Sequence, residues 1–151
     1  MAMNDTSTDP VLYMRRTFKA PRARVFDAFV RAEALSQWFG PGEMTCYLAE
    51  VDARPGGRYR IGMRGESGND HVVGGEFRDV KAPELLVMTW TWEQGDLAGH
   101  ETLVTLKFRD VADGTELILT HEFPTAPEAS AGHERGWNGG FEKLDTYLAA
   151  G

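Results

Sequence analysis

The side chains of this chain whose ordinary pKa lies nearest neutrality are four histidines, His71, His100, His121 and His133. No two of them have the His-Glu-x-x-His spacing of a zinc site, and the single cysteine, Cys46, has no second thiol with which to hold a metal or close a disulfide. The expectation is no metal and no cofactor. Gly56-Gly57 and Gly74-Gly75 do not open a helix after a strand, so neither reads as a phosphate loop. Nor is there a Ser-His-Asp or Cys-His pattern with supporting context. His121 is the best placed of the histidines, because alternation puts it on one face with Leu117 and Leu119. A structural histidine there is favoured over an acid/base, since a neutral imidazole needs one partner per ring nitrogen. His71 shares its parity with Val73 and Phe77 and is read the same way.

Aromatic surface is the stronger signal, with four Trp and eight Phe. Trp90 and Trp92 could stack an aromatic guest, although core packing accounts as well for at least one of them. Trp38 and Phe39 fall where a short helix ends and could form the mouth of a cavity; otherwise they anchor that helix. Arg58, Arg60 and Arg64 make a basic row best read as a solvated face.

These residues need elements to position them. The longest is a helix within Ala126 to Leu148. Trp137, Phe141, Leu144 and Leu148 recur at i, i+4, i+7 and i+11 as one apolar stripe, and Glu134, Arg135, Glu142, Lys143 and Asp145 fall off it. Pro127 suits its first turn. Gly136, Gly139 and Gly140 each cost about 1 kcal/mol against Ala inside a helix. Around Trp137 they mark a turn with little side-chain volume, hence a bend, a close contact or room for a guest. Before this helix the chain reads mostly as strand. Val11–Lys19 comes first, then a helix from Pro21 and a second over Ala32–Trp38, stopped by Gly40-Pro41-Gly42. Six runs follow, near Thr45–Asp52, Arg58–Arg64, His71–Val80, Leu85–Glu93, His100–Arg109 and Thr115–Phe123. Their period is two and their connections are of hairpin length, which predicts an antiparallel meander.

At 151 residues, one domain is expected over residues 11–151, after a disordered tail at 1–10. A net charge of −7 disfavours nucleic acid and anionic membrane as partners. No run of 18 apolar residues and no secretory leader is seen, and one thiol suits a reducing compartment, so a cytoplasmic location is expected.

The order strand, two short helices, six strands, long helix is α+β and is that of the helix-grip fold. Local signatures agree: Ala20-Pro21 with Val25-Phe26 and Phe29; Leu35 with Trp38-Phe39-Gly40-Pro41; Arg54-Pro55-Gly56-Gly57-Arg58; Leu86 to Trp90; Gly114-Thr115 leading to Leu119-Thr120-His121; and Gly136-Trp137 with Leu144 and Leu148. Over Val11 to Leu148 the chain resembles the START/birch-allergen-like (Bet v 1-like) superfamily. More narrowly it resembles the heat-shock-protein ATPase-activator homologue family in its bacterial single-domain form. The resemblance implies a curved antiparallel sheet of about seven strands gripping the C-terminal helix, with a cavity that takes a lipophilic molecule. The eukaryotic co-chaperones of the family carry a separate N-terminal domain, which the ten residues before Val11 are not expected to supply. The expected function is binding of a small hydrophobic or aromatic ligand by Trp38, Phe39, Tyr59, His71, Phe77, Met88, Trp90, Trp92, Phe108, His121, Trp137 and Phe141. The alternatives are a cyclase-, dehydratase- or hydrolase-type enzyme using His121 or His71, and a stress-related protein that meets a chaperone.

Overall fold

The computed structural model describes residues 11–40, 42–65, 68–95, 97–123 and 130–150. The tail at 1–10 and Pro127 lie outside them. The elements are β1 (Val11–Phe18), α1 (Arg22–Val30), α2 (Ala32–Trp38), β2 (Thr45–Val51), β3 (Arg58–Arg64), β4 (Asp70–Lys81), β5 (Leu85–Trp92), β6 (Thr102–Val111), β7 (Gly114–Glu122) and α3 (Ser130–Ala150). The seven strands form one curved antiparallel sheet in the order β1-β7-β6-β5-β4-β3-β2. From β2 to β7 each strand pairs with the next, as hairpin-length connections require, and β1 closes on β7. This is the helix-grip architecture that the order of elements implies.

Period two decides which face is apolar. Tyr59, Ile61 and Met63 of β3 are buried, whereas Arg58, Arg60 and Arg64 are exposed. Leu117, Leu119 and His121 of β7 are fully buried. The covered face of the sheet meets the stripe of α3, in which Trp137, Phe141, Leu144 and Leu148 are all buried. Phe141 meets Phe18 of β1 edge to face at 5.8 Å. The far end of α3 is tied down by Arg24, whose guanidinium donates to the carbonyls of Leu148 and Tyr147, helix-end acceptors that lack intrahelical donors. Arg16 pairs with Asp145 at 2.6 Å. Lys143, expected on the wet side, instead lies half-buried and donates to the carbonyl of Met44 at 2.6 Å, fixing the α2–β2 connection to α3.

Two glycines lie against neighbouring elements, one of them too closely for any side chain. A Cβ on Gly75 would stand 2.1 Å from the carbonyl oxygen of Thr89, so only glycine lets β4 and β5 come together there. A Cβ on Gly140 would meet the Trp38 ring at 3.5 Å. The volume missing at that turn of α3 is thus taken by the Trp38 indole, and this glycine marks a helix–helix contact rather than empty space. No helix of the described residues is long and apolar enough to cross a membrane.

If the α3 stripe carries the fold, Leu144→Ala should lower unfolding stability by about 2–5 kcal/mol, the usual cost for a fully buried leucine. Glu142→Ala, on the exposed face of the same turn, should stay within about 0.5 kcal/mol. Urea titration of the two variants checks the contrast; equal effects would refute it.

Candidate functional site

Where the three helices meet the sheet, a small internal space is left unfilled, with a volume of about 10 Å³. That is about the least room a water needs. Its walls come from every helix and from four strands: Phe29 of α1, Leu35 of α2, Phe39 just past α2, Val51 of β2, Tyr59 and Ile61 of β3, Phe77 of β4, Met88 and Trp90 of β5, and Trp137 of α3. None of these side chains is charged. The Tyr59 hydroxyl donates to the Thr89 carbonyl, and burial pushes its pKa far above the usual phenol range, so it stays neutral. Phe39 sits among Trp38, Trp90 and Trp137, with ring centroids 5.5, 6.0 and 6.5 Å away.

Beside Trp90 the core turns polar. The Trp137 indole N–H donates to His121 Nδ1 at 3.2 Å. A neutral imidazole that accepts at Nδ1 carries its proton on Nε2, which lies 2.8 Å from Thr102 Oγ1 and donates to it. The Thr102 hydroxyl in turn donates to the Trp90 carbonyl at 2.8 Å. His121 is fully buried with both nitrogens engaged, and burial, followed by the nearby His133, lowers its pKa to about 2. Trp92 donates to His133 Nε2 at 3.0 Å, and the His133 and His121 ring centroids are 5.0 Å apart. One buried side-chain polar atom among the described residues has no partner, Trp90 Nε1.

Of the residues expected from sequence, Phe39, Tyr59, Phe77, Met88, Trp90 and Trp137 converge on the internal space. Trp92 and His121 adjoin it through Trp90, at 5.6 and 5.4 Å. Trp38 is no mouth: it is buried, and its indole donates to the Ala28 carbonyl at 2.9 Å, locking α2 to α1. Phe108 packs on Phe26 and Phe29, and Phe141 on Phe18 and Trp137, one layer away. His71 is exposed. Its parity is that of Val73, but it is the second residue of β4, and although its cross-strand partner Met63 is buried, His71 itself is not covered. Phe29, Leu35, Val51 and Ile61 belong to the walls without having been picked out as site residues. The i, i+4 spacing of Leu35 and Phe39 was the available signal. A larger depression of about 550 Å³ opens on the outer face, over Gly74 between Glu50, Arg58, Arg60 and Glu93. There Arg60 and Glu93 neutralise each other through bonds of 2.7 and 2.9 Å. Among the described residues no group of three or more His, Cys, Asp or Glu side chains could hold a metal ion.

The family model described as "Activator of Hsp90 ATPase homolog 1-like protein" matches residues 19–149. No curated protein matches the chain in sequence. Among solved structures, the AHSA1 protein of Silicibacter pomeroyi is 28% identical at a TM-score of 0.82, covering 93% of this chain and 98% of that one. A Staphylococcus epidermidis protein solved in solution is 26% identical at 0.81, covering 94% and 91%. A Rhodobacter sphaeroides protein at 24% identity and 0.84, covering 95% and 94%, shares the fold.

The state of His121 has a consequence for stability. The unfolded chain takes up this proton near pH 6.5, while the folded chain refuses it down to about pH 2. The contribution is therefore complete above pH 6.5 and lost as pH falls below it, at up to about 1.4 kcal/mol per pH unit. His121→Gln should flatten the slope of unfolding free energy between about pH 6.5 and 5 by up to that amount, measured by urea titration at each pH. An unchanged slope would show that His121 is not held neutral.

Proposed function

Since the chain belongs to the Activator of Hsp90 ATPase homolog 1-like family, we propose that it binds a small apolar or aromatic molecule between the sheet and helices α2 and α3. The observation that carries this reading is the convergence of uncharged, mostly aromatic walls from all three helices on a space that packing leaves unfilled. Ligand sites share this kind of lining, apolar with few polar groups, although at volumes of about 300–1,000 Å³. Interiors otherwise fill to about 0.74 of their volume.

A guest of ring size cannot enter about 10 Å³, so binding works by displacement. Phe39 is the side chain to move. The other nine wall residues lie inside helices or strands; Phe39 alone lies beyond an element, at the C-terminal cap of α2. Gly40 follows it at φ +110°, a backbone conformation that side-chain-bearing residues rarely adopt. Acid/base catalysis is not proposed, because both His121 nitrogens are already engaged and no ionised group lines the space.

The neutral dye N-phenyl-1-naphthylamine tests the reading. It should bind the parent saturably at one per chain. Phe39→Ala should bind it at least about tenfold more tightly, since the space is then open in advance, while losing about 3–5 kcal/mol of stability. No saturable binding to the parent would overturn the proposal. Binding that Phe39→Ala leaves unchanged would place the dye elsewhere.

A further inference from the structure

The chain contains four tryptophans, and their indole N–H groups are treated unequally. Trp38 donates to the Ala28 carbonyl at 2.9 Å, Trp92 to His133 at 3.0 Å and Trp137 to His121 at 3.2 Å. Trp90 is buried like Trp38 and Trp137 and more deeply than Trp92, only 4% exposed, yet its Nε1 finds no acceptor among the described residues. A buried donor left unpaired loses its hydration and gets nothing in return, which is why such atoms are few in native proteins. This one belongs to a residue that walls the unfilled space.

A resident water answers the need poorly. A buried water ordinarily makes two to four hydrogen bonds. Of the other side chains around the space that carry an N–H or O–H, Trp137 already donates to His121 and Tyr59 to the Thr89 carbonyl, so only the Tyr59 oxygen is left to accept from a water. An indole N–H can only donate, so what meets it must be an acceptor. None of the wall side chains is charged, so an ionic guest would lose its hydration with no counter-charge in return.

We propose that the guest is an uncharged ring compound bearing a hydrogen-bond acceptor, such as a ketone, lactone or ether oxygen, and that Trp90 Nε1 donates to that atom and orients the molecule. This rests on the guest-binding reading above and adds to it the chemistry of the guest.

Three compounds of one shape separate the possibilities: 9-fluorenone, fluorene and fluorene-9-carboxylate, each titrated against the dye-loaded parent protein. Fluorenone should bind about tenfold more tightly than fluorene, the worth of one good hydrogen bond, and the carboxylate more weakly than either. The carbonyl stretch of bound fluorenone should shift to lower wavenumber. In Trp90→Phe the ratio of fluorenone to fluorene affinity should fall to about one. Should that variant not fold, the indole ¹H–¹⁵N resonance of Trp90 in the parent decides, since it should move downfield with fluorenone and not with fluorene. Equal affinities with an unmoved Trp90 resonance would overturn the acceptor while leaving the guest site standing. A carboxylate that binds as well as the ketone would overturn the requirement for an uncharged guest. If none of the three displaces the dye, the site itself fails, and this inference with it.

Discussion

The rest of this structure depends on covering the concave face of an open sheet. Alternation in β3, β5, β6 and β7 places Tyr59, Ile61, Leu86, Met88, Leu106, Leu117 and Leu119 on one side, and all are buried. A single sheet cannot bury its own apolar face, so a second layer is obligatory. The four-residue stripe of α3 supplies one part of that layer, and the buried faces of α1 (Val25, Phe26, Ala28, Phe29) and α2 (Ala34, Leu35, Trp38) supply the rest. Everything else specifies how α3 is seated. Arg24 satisfies its last carbonyls, Asp145 meets Arg16, and Lys143 reaches back to Met44. The exposed pairs add little, as surface ion pairs generally do. The bond from Arg24 is of another kind, because it satisfies carbonyls that helix geometry leaves without donors.

Apolar burial holds α3 down but has no direction, and a stripe could slide along the sheet without much loss. The buried polar chain removes that freedom. Trp137 of α3, His121 of β7, Thr102 of β6 and the Trp90 carbonyl of β5 form one continuous series of donors and acceptors. Any slip of the helix would leave a desolvated imidazole unpaired, and fully satisfied networks specify a unique packing for this reason. His121 is thus a positioning group for the fold, and its resistance to protonation follows from that duty.

Most of this frame could be read from the chain, because it rests on periodicity. The stripe of α3, the bounds of α2 and β3, the meander and the inward parity of His121 all follow from local spacing. What could not be read is whatever depends on where a strand or helix stops relative to its neighbours. His71 has the parity of a core residue but stands where β4 begins. Trp38 ends a helix, as a mouth residue would, yet its indole is bonded to α1 and its ring lies against Gly140. The glycines of α3 announce missing volume, but spacing does not say which side chain from another element will take it up. The same limit explains the site. Tyr59, Phe77, Met88, Trp90 and Trp137 were picked out by facing and aromaticity, while Phe29, Leu35, Val51 and Ile61 join them through the way three helices and the sheet meet there.

At the site local and global preferences disagree: a small space remains, one wall residue carries the buried side-chain N–H that has no partner among the described residues, and another wall is a phenylalanine outside any element. Natural sequences are otherwise consistent across these levels, and departures gather at functional sites. Under the proposed function, the departure would also make binding competitive. Phe39 and a guest claim the same volume, so the free energy of binding is the guest's burial less the cost of moving Phe39 out. Emptying the space costs the packing of Phe39 on Trp38, Trp90 and Trp137. That cost sets a lower size limit on the guest, because a molecule too small to replace the buried area of a phenyl ring gains less than its entry costs.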